Sequence, residues 1–210
     1  MTKILVTGFM PFDGRKMNAS WIAAQSIVGS DIKAVEIPVE WGKPREILAS
    51  SLNHFEADLI ISFGEGHVGE FNIETKARNT RKQRADNTGA LPSPSNFPDG
   101  EEEILASIDA RDLQERILSS TKLSSTKEAI PLKLSADAGA FICEETLYTL
   151  ERMKSQIPKL RAVVFIHLPP FATPLNYLGK DTICDESLLA DFAKRAVDAI
   201  LAQDNHSFVK

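Results

Sequence analysis

The chain is poor in the residues that staple small folds or read nucleic acids. Of its 210 residues only two are cysteines, Cys143 and Cys184. They lie far apart, with no Cys-x-x-Cys and no His-rich segment, which argues against a disulfide framework or a zinc site. No Lys/Arg run interleaves with aromatics, and the formal net charge is -5, so the electrostatic footprint of a nucleic-acid binder is missing. No apolar run approaches the roughly 20 residues that cross a bilayer. Met1-Thr2-Lys3 leads straight into Ile4-Leu5-Val6, without room for the apolar stretch of a signal peptide. These absences predict a cytoplasmic protein with no nucleic-acid or membrane partner. Repeats and low-complexity tracts are also lacking.

What is present is ordinary globular composition, 43% hydrophobic and 25% charged, and it predicts one domain over residues 1–210. A chain of this size buries roughly 70% of the surface its unfolded form exposes, enough for a core without staples. Ile4-Leu5-Val6-Thr7 reads as a buried strand ending at Gly8, and Ser20 to Val28 carries helical spacing. Ala34 to Val39 reads as a strand, and Pro44 to Leu52 as a helix opening on Pro. Leu59 to Phe63 is a further buried strand, and the glycine-rich run Gly64 to Gly69 ends it. Leu91 to Gly100, dense in Pro, Ser, Asn and Gly, reads as a surface loop or flap. A helix over Arg111 to Ser119 and a strand over Ile130 to Leu134 follow, with Pro131 near the strand start. The turn Asp137-Ala138-Gly139 then opens a helix through Cys143, Leu147, Leu150 and Met153. Ala162 to Ile166 is the last strand, and Asp185 to Gln203 the closing amphipathic helix. Strands alternating with helices predict an α/β layer structure with a mostly parallel sheet.

In such sheets ligands collect beyond the carboxyl ends of the strands. His167 sits at such an end. Cys143 falls in the first turns of a helix, where the positive end of the dipole stabilises a thiolate. A thiol gains from a base that takes its proton and returns one to the leaving amine. The acidic residues near strand ends that could orient that base are Glu65, Glu70, Glu74 and Asp86, and spacing does not choose among them. Taken alone, Cys143 in Phe141-Ile142-Cys143 reads as a small buried hydrophobe, and His167 as a hydrogen-bonded structural residue. Gly64-x-Gly66-x-x-Gly69 has the spacing of a dinucleotide loop, but no helix start or acidic-ended strand follows. His54, His67 and His206 read as solvent or loop histidines, and Cys184 as packing.

Taken together, the motifs resemble the type I pyrrolidone-carboxylate (pyroglutamyl) peptidase family along nearly the whole chain. Thr7-Gly8-Phe9-Met10-Pro11-Phe12 is similar to its N-terminal signature, continued by Asn18-Ala19-Ser20-Trp21, and Glu36-Ile37-Pro38-Val39 to its second strand. Ile73-Glu74 with Asn79 resembles the glutamate motif, Arg84 and Asp86-Asn87 its downstream residues. Ala138 to Cys143 resembles the nucleophile motif and Phe165-Ile166-His167-Leu168-Pro169 the histidine motif.

The resemblance implies a three-layer α/β/α sandwich around a mostly parallel mixed sheet. It implies a cysteine peptidase that removes N-terminal pyroglutamate through a thioester, with no cofactor and no metal. Cys143, His167 and Glu74 would be its triad, and Phe9, Phe12, Phe141 and Ile142 would line a lactam pocket. Arg84 would lie near the thiolate, its rival reading being a surface ion pair. A homo-oligomer, dimer or tetramer, is also implied, with apolar residues of the 91–100 loop such as Phe97 against another subunit. Departures from the pattern are a 64–74 loop one residue shorter, Glu65 in place of Gln, Glu144 in place of Asn or Asp, Lys82 at a commonly acidic position, and a span between Asn79 and Asp86 one residue shorter. They leave room for an amidase of another lactam or blocked N-terminus, or for a binding module in which the shorter loop misplaces Glu74. An α/β nucleoside-binding enzyme is disfavoured by the absence of a phosphate-cradling loop.

Overall fold

A computed structural model describes residues 2–93, 96–120 and 130–207, with side chains as far as Asp204. His206, and Pro94 and Ser95 of the 91–100 loop, therefore lie outside the described side chains and residues. Among the described residues ten strands and five helices form in the order β1 (Ile4–Phe9), α1 (Ala19–Ser26), β2 (Ile32–Ile37), α2 (Lys43–His54), β3 (Leu59–Glu65), β4 (Phe71–Glu74), β5 (Lys76–Arg78), β6 (Glu103–Leu105), α3 (Ala110–Ser119), β7 (Leu132–Ser135), α4 (Ile142–Gln156), β8 (Ala162–Leu168), β9 (Pro174–Tyr177), β10 (Lys180–Ile183) and α5 (Glu186–Ser207).

Six strands make the central sheet in the order β2-β1-β3-β8-β4-β7. All neighbours are parallel except β4 against β8. The near-continuous apolar runs of β1, β3 and β8 follow from this, because a parallel sheet is covered on both faces. Alternation assigns each face. Ile4, Val6, Leu59, Ile61, Val164 and Ile166 pack under α1, α3 and α5. Leu5, Ile60, Val163 and Phe165 pack under α2 and α4. The result is the expected α/β/α layering. The same alternation puts His167, between Ile166 and Leu168, on the α4 face of β8, and Glu74, next to Ile73, on the α4 face of β4.

β2 lies two residues earlier than expected, at Ile32–Ile37, and three other boundaries differ from the sequence expectation for a physical reason. β1 runs through Gly8 to Phe9, in register with Glu36 and Ile37 of β2. Gly8 does not end the strand; it lets α1 approach, since a Cβ there would meet Ser20 O at 2.5 Å and Trp21 Cα at 2.6 Å. β3 likewise continues through Gly64, where a Cβ would meet the Phe165 ring at 2.8 Å and His167 Cδ2 at 2.9 Å. Pro131 lies just ahead of β7, since proline cannot donate to the ladder. The short strands β4, β5, β6, β9 and β10 gave no period long enough to read. Phe97 is half-buried within the chain. It packs on Tyr148 at 5.5 Å between ring centroids, with Arg45 and Arg152 over its ring; Leu91 is the exposed one, at 64%.

Gly8→Ala is expected to destabilise the fold by about 1–3 kcal/mol through overpacking against the α1 backbone, read as a lower urea midpoint. A midpoint unchanged from the native protein would show that α1 does not need this contact.

Candidate active site

The cleft at the carboxyl end of β3 and β8 holds about 600 Å³ and is bordered by Phe12, Phe141, Arg84, Cys143, His167 and Glu74 among others. Cys143 is the second residue of α4. The turn before it is left-handed at Gly139 (φ 91) and Ala140 (φ 54), a conformation that needs outside support at the alanine. Asp137 accepts the Gly139 N–H at 2.9 Å, and Lys82 N–H donates to Ala140 O at 2.6 Å. Phe141 caps α4 without a side-chain hydrogen bond, and the first intrahelical bond is Glu145 N–H to Phe141 O. The amide donors of the first turn therefore point out of the helix beside the thiol.

Two buried carboxylates follow Cys143 directly. Glu144 accepts the Arg78 N–H at 2.7 Å and pairs with its guanidinium at 3.3 Å. Glu145 accepts the Gly42 N–H at 2.7 Å and pairs with Arg81 at 2.8 Å. Burial pushes both carboxyls above the usual range, and the arginines pull back against it. Arg78 also bridges to Asp137, so one guanidinium ties the start of the turn to the helix it opens.

His167 Nδ1 lies 2.8 Å from Glu74 Oε1, and the ring also hydrogen-bonds Cys143. Gly66 allows the loop to press on the imidazole, since a Cβ there would sit 2.8 Å from His167 Cβ. Glu74 is 1% exposed, and its Oε2 has no partner among the described residues. A buried carboxylate with one neighbour favours a charged neighbour. Desolvation pulls the His167 pKa down, but the bonds and charges of Cys143 and Glu74 outweigh it and raise the pKa to about 10. The imidazolium is therefore the resting form at neutral pH.

Of the four candidate acids only Glu74 reaches His167. Glu65 is engaged by Arg15 and by the Ala19 N–H at the head of α1. Glu70 holds Asn72 and Lys133, and Asp86 accepts from Trp41 N–H and closes its own turn. The 64–74 loop thus leaves Glu74 in hydrogen-bond reach of His167. Phe12 and Phe141 border the cleft, Phe141 fixed edge-to-face on Trp41 at 5.1 Å. Arg84 lies 4.5 Å over Phe141 and 5.7 Å over Phe12 while pairing with Asp13 at 2.5 Å, which is its ion-pair reading, placed at the cleft rim. Phe9 and Ile142 do not border the cleft. Phe9 is turned into the core beneath it, 6.3 Å from Phe165, and Ile142 is buried in the α4-side core.

Cys184 is buried, donates to Pro169 O at 3.4 Å, and is pushed up by burial to about 12. Sequence reasoning missed Asn72, which borders the cleft beside His167; its signal was the two-residue spacing from Glu74.

A helix-borne thiol facing a carboxylate-backed imidazole at the end of an α/β sheet is the equipment of a cysteine hydrolase. A model of the pyroglutamyl peptidase family matches residues 2–203, and the chain belongs to that family. Pyrrolidone-carboxylate peptidase of Finegoldia magna is 30% identical over 212 residues, covering 96% of this chain and 94% of the relative. That of Fusobacterium nucleatum is 31% identical over 187 residues, covering 86% and 83%. The crystal structure of pyroglutamyl peptidase I from Bacillus amyloliquefaciens shares the fold, with a TM-score of 0.81 at 24% identity, covering 96% of this chain and 98% of that one.

Because the folded pKa of His167 lies above its unfolded value near 6.5, its contribution to stability is fully present below about 6.5 and is lost as pH rises through about 10. Nuclear magnetic resonance should find His167 still protonated at pH 8. Glu74→Gln should move its titration down by roughly one unit or more. A ring that loses its proton near 6.5 in the native protein would contradict this reading.

Proposed function

We propose that the protein hydrolyses the bond after an N-terminal pyroglutamyl residue, with Cys143 as nucleophile, His167 as proton carrier and Glu74 as the group that orients the imidazole. The observation that carries this reading is the hydrogen-bonded line from Cys143 through His167 to Glu74, opening beside the aromatic walls Phe12 and Phe141. The thiolate adds to the pyroglutamyl carbonyl, and the first-turn amides of α4 receive the charge that develops on its oxygen. The imidazolium gives its proton to the leaving nitrogen as the C–N bond breaks, leaving a thioester on Cys143. Water attacks that thioester, the now neutral His167 takes its proton, and thiolate and pyroglutamate separate with imidazolium restored.

Aromatic walls suit a flat, uncharged five-membered ring. Arg84 roofs the pocket over Phe141, while Phe9 and Ile142 support it from behind. Neither the amidase nor the binding-module alternative gains from Glu65, whose carboxylate is engaged by Arg15 and α1.

Release of a fluorescent amine from its pyroglutamyl amide under reducing conditions tests the assignment. Cys143→Ala and His167→Ala should each lower kcat/KM by about a thousandfold or more, with the fold retained by circular dichroism. Full activity in Cys143→Ala would sink the assignment. Hydrolysis of other acyl amides as fast as the pyroglutamyl one would favour the broader amidase.

A further inference from the structure

We propose that Asn72 accepts the first main-chain N–H of the substrate beyond the scissile bond, so that the site is built for peptides and not for isolated pyroglutamyl amides. This rests on the hydrolysis proposed above and adds a residue that reads the leaving chain.

Asn72 is the Cα partner of His167 in the antiparallel pairing of β4 with β8. It lies two residues before Glu74, so its side chain shares the α4 face with both. It borders the cleft and is only 6% exposed. Its Nδ2 donates to Glu70 Oε1 at 3.2 Å, and the other Glu70 oxygen is held by Lys133 of β7. The bonds from Lys133 and Asn72 hold the Glu70 carboxyl below its usual range, so it stays ionised and can only accept. That fixes the amide flip, with the nitrogen toward Glu70 and the carbonyl away from it. Oδ1 has no partner among the described residues. A carbonyl oriented through the Glu70 bond and left open at a cleft is an acceptor available to a donor there.

The position says which donor. His167 gives its proton to the leaving nitrogen, and β4 lies one strand spacing, about 4.8 Å, farther out. An extended chain advances about 3.5 Å per residue. The main chain one residue past the leaving nitrogen therefore reaches Asn72 and offers its N–H. An aryl amine has no such group.

Three substrates test this on the native protein and on Asn72→Ala: pyroglutamyl-alanyl-alanine amide, the same peptide N-methylated at the second alanine, and a pyroglutamyl coumarin amide. In the native protein methylation is expected to lower kcat/KM about tenfold, and in Asn72→Ala the contrast should shrink to about twofold or less. A purely steric penalty would persist in the variant, so an equal contrast in both proteins overturns the proposal. So does the absence of any contrast in the native protein, which needs no variant. Should Asn72→Ala fail to fold, Asn72→Ser, which is too short to reach the same donor, is read in the same way. Native hydrolysis of the coumarin amide with neither peptide cleaved overturns the role of Asn72 and leaves the proposed reaction standing. No hydrolysis of any substrate overturns both.

Discussion

The bond between Glu74 and the ring of His167 is the constraint around which the rest of the site is arranged. It joins the one antiparallel pair in the central sheet, β4 and β8. Among the described residues this buried carboxylate has the imidazole as its one hydrogen-bond partner, and its charge is tolerable only if that ring is charged or donates strongly. The ring must then be fenced from water and fixed in orientation. Gly64 and Gly66 do this by letting backbone press against it where any Cβ would collide. The glycine spacing that resembles a dinucleotide loop thus serves an imidazole.

The second requirement is a thiol delivered to the far side of that ring. α4 supplies it from its first turn, and its own sequence works against the task, because Glu144 and Glu145 place two negative charges beside a group meant to ionise. Arg78 and Arg81 offset them. The two arginines come from the stretch that directly follows Glu74, so the same short piece of chain backs the imidazole and anchors the nucleophile's helix. The left-handed Gly139 and Ala140 are held by Asp137, Lys82 and Glu144, which accounts for a strained turn persisting at the head of the helix.

The layer order was legible in the sequence because β1, β3 and β8 are buried on both faces and read as unbroken apolar runs. The five helices were legible from apolar residues at helical spacing. β4 was not. It has four residues, two turned to the core and two to the cleft, so Asn72 and Glu74 read as polar loop residues although they alternate with Phe71 and Ile73. Glu74 was selected by family resemblance and not by spacing, and the two-residue spacing of Asn72 from it can be read only once the strand Phe71–Glu74 is known. Phe9 differs in the other direction: its place in a signature motif suggested a pocket wall, while it is buried against Phe165 in the core beneath the cleft. Whether such an aromatic lines a pocket or supports it depends on tertiary packing that the sequence does not display.

The central claim is that the Glu74-backed imidazole activates Cys143. The most direct test is the rate at which iodoacetamide alkylates each cysteine at neutral pH, followed by peptide mass spectrometry in the native protein and in His167→Ala. The account predicts rapid modification of Cys143 in the native protein, slower by about tenfold or more without the imidazole, with buried Cys184 unmodified in both. Equal rates at Cys143 in the two proteins would contradict it.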